Sequence, residues 1–158
     1  MVDVARHARH ISLPDVGVEG QRRLATSSVL VVGAGGLGCP ASLYLAAAGI
    51  GRIGLIDDDA VDLSNLQRQI LHTTADVGTP KVASARAKLN ALDPNVKVEV
   101  FRQRLNPNNA MEMLKAGTWS LTEPTTSPLA TLLTTLAPCL TSLGSVSYTH
   151  LTLPTKQM

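Results

Sequence analysis

Two rhythms of apolar residues run along the first two thirds of this chain. "SSVLVVG" (27–33) is a continuous β-branched run, and "RIGLIDDD" (52–59) is a second apolar run that stops abruptly in three acids. Unbroken runs of this length predict strands buried on both faces. "VKVEVF" (96–101) alternates, as a third strand does. Helical segments lie between them. "PDVGVEGQRRLA" (14–25) predicts a short helix starting at Pro14 or Asp15, and "LGCPASLYLAAAGIG" (37–51) has helical spacing and ends in glycine, as helices do. "TPKVASARAKLNALDP" (79–94) predicts a helix capped by Thr79, with Pro80 at its first position and an end before Pro94. "NPNNAMEMLKAG" (106–117) predicts one more capped helix. The order is helix, β-α-β, a loop, then α-β-α, which predicts an α/β fold with a parallel sheet. From Thr118 to Met158 the pattern disappears: Glu123 and Lys156 are the only charged residues, and threonine dominates.

Composition narrows the classes. With 158 residues the chain is most simply one domain with a real core. Aromatic residues make up 3% of it, so that core is aliphatic. A net charge of +2 without a dense Lys/Arg run argues against nucleic acid and against a membrane surface. Cys39 and Cys139 form no CxxC pair, so neither a zinc site nor a disulfide framework is indicated. The N-terminus "MVDVARHARHISLP" has early charge and no apolar run, which predicts no signal peptide and a cytoplasmic location.

The candidate chemistry begins at "VVGAGGLGC", where Gly33, Gly35, Gly36 and Gly38 lie between the first strand and the next helix. Such glycines permit a tight turn and let phosphate oxygens approach bare backbone N–H groups at a helix N-terminus. Asp57, at the end of the second strand, stands where an acid usually accepts hydrogen bonds from ribose hydroxyls. Asp58 and Asp59 fit a solvated acid cluster better. A nicotinamide-dependent oxidoreductase would share all of this, and so would a non-catalytic nucleotide-binding or dimerisation module. The following segment favours a triphosphate: "VDLSNLQRQILH" brings Ser64, Asn65, Gln67 and Arg68 past the acidic strand end, and Lys81 follows on the next helix. An Arg and a Lys converging on one glycine turn suit the charge of a triphosphate, which a nicotinamide cofactor does not demand.

"RHARHISLP", "VGAGGLGCPASLYLAAAGIGRIGLIDDDAVDLSNLQRQILH" and "VGTPKVASA" together strongly resemble the MoeB/ThiF family, over about Arg6 to Gly117. These are E1-like adenylyltransferases that activate ubiquitin-like sulfur-carrier proteins in molybdopterin and thiamin synthesis. The resemblance implies a doubly wound, Rossmann-like, mostly parallel sheet preceded by an N-terminal helix. It implies ATP and Mg²⁺, a homodimer, and adenylation of the carrier's C-terminal glycine carboxylate with release of pyrophosphate. It gives Gly36 to the phosphates, Asp57 to the ribose, and Asn65, Arg68 and Lys81 to the phosphates. Arg9, in "RHARH", would reach into the partner subunit's site. Cys39 would be a packing residue, His7, His10 and His72 would have surface or supporting roles, and Tyr44, Leu45, Met111, Met113 and Leu114 would be core.

The tail departs from the family pattern, which continues with a strand and a "DxTDN"-like motif whose last Asp holds Mg²⁺. Here the chain reads "TWSLTEPTTS". One permitted set of codons for residues 117–137, read one base earlier, encodes "YVVLDGTDNFATRYFVNDAC", which contains both the strand and the motif. The Asp of "TDN" then falls at Thr125. "VSYTHLTLPT" (146–155) is what a common transposase sequencing adaptor encodes in one frame. The expectation is a frameshift near Gly117. Residues 1–117 would be the N-terminal part of a ThiF-type ATP-binding adenylation domain, and 118–158 an out-of-frame and adaptor-derived tail belonging to no domain. A chain of this kind, with an incomplete sheet and without the Mg²⁺-binding Asp, is expected to have little or no activity. Its unpaired strand edges would also make it poorly soluble.

Overall fold

A computed structural model of the chain describes residues 2–115 and 120–122. The expectations for the rest of the tail, and for Cys139, lie outside the described residues. In chain order the elements are α1 (Ala8–Ile11), α2 (Gly17–Thr26), β1 (Ser28–Val32), α3 (Gly38–Ala47), β2 (Arg52–Ile56), α4 (Lys81–Leu92), β3 (Lys97–Phe101), α5 (Pro107–Lys115) and β4 (Ser120–Thr122). Two short 3-10 turns, Leu63–Asn65 and Thr74–Asp76, lie between β2 and α4.

The sheet has the order β3-β2-β1-β4, and every pairing is parallel. β1 aligns Ser28 with Arg52 and Val32 with Ile56, while β4 aligns Ser120 with Val29 and Thr122 with Val31. The chain winds outward from β1 to β2 to β3 and then returns to the other side of β1. That reversal makes the C-terminal end of β1 the topological switch point, where open α/β sheets bind their ligands.

The β-branched run folds as its pattern demands. Val29, Leu30 and Val31 are all buried, as are Ile53, Leu55 and Ile56 of β2. Burying each such side chain stabilises the fold by about 1.5–3 kcal/mol. Cys39 and Ala46 of α3 and Val82, Ala85 and Leu89 of α4 pack against the sheet in the same core. α3 ends where its glycine allows: Gly49 has φ +82°, and the Ile50 N–H bonds back to the Leu45 carbonyl, closing the last turn. Asn106 caps α5 through its side-chain oxygen, which accepts from the N–H groups of Asn108 and Asn109, with Pro107 at the first position.

Several elements differ from the sequence reading. α2 begins at Gly17, where φ is +55°, because Val16 and Gly17 donate to the Leu13 carbonyl in a preceding turn that takes up Pro14 and Asp15. α4 begins one residue later than expected, with Pro80 at the cap position and no side-chain cap. The Thr79 backbone instead joins the loop, donating to the Asp76 carbonyl and accepting from the Val61 N–H. Tyr44 is not core: it is 77% exposed, because α3 turns Cys39, Ser42 and Ala46 inward and Tyr44 falls on the opposite face. Leu45 is partly buried against the core, and Met113 is buried.

At the N-terminal ends of the strands, residues including Asp3, His7, Gln21, Gly49, Asp93 and Val96 line a cavity of about 210 Å³. His7 is buried there rather than exposed, and its ring stacks on His10 at 5.9 Å. Gln21 Oε1 accepts from His10 Nδ1 at 3.2 Å, and Gln21 Nε2 donates to the Ala48 carbonyl at 2.8 Å. Asp93 accepts from the Asn95 backbone N–H and side-chain amide, and faces Arg6 Nε at 3.8 Å.

Candidate nucleotide site

The glycine turn sits at the switch point and is shaped by two constraints. Gly33 has φ +90°, a conformation that only glycine adopts freely. A methyl group added at Gly38 would lie 1.8 Å from the Gly33 carbonyl oxygen, so α3 can start against β1 only if that position has no side chain. Gly35 and Gly36 leave room instead of preventing a clash. A Cβ on Gly36 would stand 3.6 Å from the Arg68 stem, and one on Gly35 would stand 3.8 Å from Gln69 Nε2. The turn is therefore roofed by the segment that carries Arg68.

Ala34, at the centre of the turn, is held at both ends of its backbone. Its N–H donates to Asp57 Oδ2 at 2.7 Å. Its carbonyl accepts from His72 Nε2 at 3.0 Å and from Cys39 Sγ at 3.3 Å. Asp57 thus fixes the turn while remaining half-buried, and its Oδ1 also accepts from the Asp59 N–H at 2.8 Å. Cys39 is fully buried, and burial pushes its thiol pKa up, which fits a packing residue and not a nucleophile. His72 is also buried, with Ser84 Oγ at 2.9 Å from Nδ1, so it is no surface residue. Its position in "RQILH", four residues after Arg68, was the only sequence signal for this role.

The cations occupy two different states. Lys81, at the start of α4, is buried and its Nζ donates to Asp59 Oδ2 at 2.7 Å. Asp59, although 66% exposed in its side chain, is therefore an ion-pair partner and not merely a solvated acid. Arg68 is exposed above Gly36, and among the described residues its guanidinium reaches the Ser64 carbonyl, at 3.5 Å. Ser64 donates its hydroxyl to Asp62 Oδ1 at 2.5 Å, and these hydrogen bonds lower the Asp62 pKa. Asn65 is half-buried and Gln67 exposed on the same 3-10 turn and its continuation. Gln69, missed in the sequence, is 4% exposed, with Oε1 unpartnered among the described residues. Arg9 is not brought to this site. It is exposed on α1, and the neighbouring Arg6 and His7 contact Leu92 and Gly49, which precede the strands.

Asp57, Asp58 and Asp59 place carboxylate oxygens within 4.8 Å of one another, which raises the question of a metal. They do not fit one as they stand. Both Asp57 oxygens accept backbone N–H groups, and Asp59 is paired with Lys81, leaving Asp58 without two companions to complete a cation site.

A parallel sheet with a glycine turn at its switch point, an acid on the next strand and an Arg and a Lys beyond it defines an α/β protein of the Rossmann-like kind. Residues 7–121 match the ThiF family, and the chain belongs to it. It is 54% identical over 113 residues to the probable adenylyltransferase/sulfurtransferase MoeZ of Mycobacterium tuberculosis, covering 72% of this chain and 29% of MoeZ. It is 52% identical to the sulfur carrier protein adenylyltransferase of Thermus thermophilus, covering 72% of this chain and 42% of that protein. The chain thus spans less than half the length of these relatives. Among solved structures, E. coli tRNA N6-threonylcarbamoyladenosine dehydratase in complex with ATP superposes with a TM-score of 0.78 at 27% identity, over 88% of this chain and 58% of that one. No helix among the described residues is long and apolar enough to cross a membrane.

Proposed function

We propose that this chain carries the ATP-binding part of an adenylyltransferase that activates the C-terminal glycine carboxylate of a ubiquitin-like sulfur-carrier protein. The observation that carries the reading is the position of Arg68 over Gly36, with Lys81 paired to Asp59 two residues from the Asp57 that holds the turn. The names of its relatives support the reaction, and the ATP complex of a structural neighbour supports the nucleotide.

In this reading the triphosphate lies along Gly33, Gly35, Gly36 and Gly38, with the α3 N-terminus adding its partial positive charge. Asp57 receives the ribose hydroxyls on lone pairs not used by Ala34 and Asp59. A carrier carboxylate oxygen attacks the α-phosphorus and forms the acyl–adenylate bond. The bond to the bridging oxygen between the α- and β-phosphorus breaks, and pyrophosphate leaves with the electron pair. No base is required, because the attacking carboxylate is already ionised at neutral pH. Arg68 and Lys81 stabilise the charge that gathers on the leaving group. Lys81 exchanges Asp59 for a phosphate oxygen to do so. Asn65, Ser64 and Gln67 line the same approach. Arg9 belongs to a different site, that of a partner subunit in a homodimer. The frame is read as shifted near Gly117, although Ser120–Thr122 still pair with β1 as β4.

Titration of the chain with ATP and with NAD tests the class: binding of ATP alone supports the reading, and binding of NAD alone overturns it. ATP–pyrophosphate exchange with a sulfur-carrier protein tests the reaction. This chain as it stands is expected to show none, and the frame-restored gene product is expected to show it. Binding without exchange after restoration would favour a non-catalytic nucleotide module.

A further inference from the structure

We propose that His72 is a positioning residue for the phosphate-binding turn, and that with Ser84 it couples the turn to the helix that presents Lys81. The inference rests on the nucleotide reading above and adds a residue pair to it. Four observations carry it. His72 Nε2 lies 3.0 Å from the Ala34 carbonyl, and Nδ1 lies 2.9 Å from Ser84 Oγ. His72, Ser84 and Ala34 are all buried. A carbonyl only accepts, so Nε2 carries the proton, and in the neutral ring Nδ1 then accepts from the Ser84 hydroxyl. Ser84 lies one turn after Lys81 on the same face of α4, and both are buried.

The imidazole therefore ties one peptide of the turn to α4, while Asp57 ties the N–H of the same residue to β2. With both ends of Ala34 fixed, the amides that follow it stay aimed at the space a phosphate would fill. Preorganised donors bind a developing charge without reorganising at the moment of reaction. Cys39 Sγ, a weak donor, is the second hydrogen bond on the same carbonyl and does not replace an N–H.

The test is ATP affinity by calorimetry, alongside the unliganded melting midpoint, for the full chain and three variants. His72→Phe keeps a ring in the cavity and removes both hydrogen bonds; it is expected to weaken ATP about tenfold, the size of effect a lost buried hydrogen bond produces. His72→Gln restores an amide donor near the Nε2 position and is expected to recover most of that affinity, even where its melting midpoint stays low. Ser84→Ala, a small change that keeps the fold if His72→Phe does not, is expected to weaken ATP about threefold. Affinity that tracks the melting midpoint in all three, or that equals the unaltered chain in all three, overturns the proposal. Failure of the unaltered chain to bind ATP overturns the nucleotide reading first and this inference with it, which keeps the two failures distinct.

Discussion

At the N-terminal ends of the strands, His7, Gln21 and Asp93 are buried around a cavity of about 210 Å³, and Gln21 and Asp93 are held by other parts of the same chain. At the C-terminal ends, Gln69 keeps an unpartnered oxygen, Arg68 stands exposed over Gly36, and Lys81 is paired with an acid that is largely in water. Both ends bury polar groups, so burial alone does not separate structure from function. The separation lies in where the partners come from. Polar groups satisfied within the chain lock α1 and α2 onto the sheet; those left open or held by an exposed partner are the ones a ligand can engage.

The largest effect tests the geometry on which that contrast depends. Gly38→Ala places a methyl 1.8 Å from the Gly33 carbonyl, and Gly51→Ala places one 1.9 Å from the Ala25 carbonyl at the opposite end. Each is expected to cost about 3 kcal/mol or more, read as loss of the cooperative thermal transition. A normal melting curve for either would show that the backbone approach is looser than described. Next, Gln21→Leu should lower stability by about 1–3 kcal/mol, through the unsatisfied Ala48 carbonyl, while leaving ATP affinity as it was. Lys81→Met should do the reverse, weakening ATP about tenfold by calorimetry with a stability change under about 1 kcal/mol. If the two variants gave the same pair of results, the proposed division between the ends would be gone.

The smallest effect is one of pH. The Arg52 guanidinium donates two hydrogen bonds to Glu99, at 3.0 and 2.7 Å, and with help from Lys97 lowers its pKa from 4.5 to about 2. A depressed carboxyl contributes stability above its unfolded pKa and loses it as pH falls through the folded value. Stability should therefore decline between pH 4.5 and about 2, and Glu99→Gln should flatten that part of the curve by about 1 kcal/mol. An unchanged acid limb in the variant would assign the decline to other groups, among which Asp76, lowered to about 2 chiefly by Thr73, is the first to examine.

Much of this was readable in advance because the signals are local. β-branched runs become buried strands, and a glycine stretch after the first of them becomes the turn. Their spacing therefore placed β1, α3, β2 and the turn closely. Helix starts were less legible: Gly17 and Lys81 open α2 and α4 because the preceding loops use the expected caps for other bonds. Tyr44 was misplaced because α3 is apolar around most of its circumference, so its composition did not identify the inward face. His72 was read as a surface or supporting residue, Asp59 as a solvated acid, and Ser84 was not singled out, for a different reason. Their partners lie far along the chain, Ala34 38 residues from His72, His72 12 from Ser84 and Lys81 22 from Asp59, and no spacing rule connects them.

The strand order has a consequence for how the molecule assembles. β1 meets β2 after one short crossover, and β3 follows β2, but the other flank of β1 is filled by β4, which arrives only at Ser120. During synthesis, when N-terminal segments emerge first, three neighbouring strands can form before the fourth is available. β1 then lies at an open margin until the chain returns, and that closure carries a longer loop-entropy cost than the earlier pairings. Pulse-labelled hydrogen exchange during refolding should accordingly protect the amides bonding β1 to β2 before those bonding β1 to β4. The switch point is thus also the seam that closes last, when β4 takes its place beside β1.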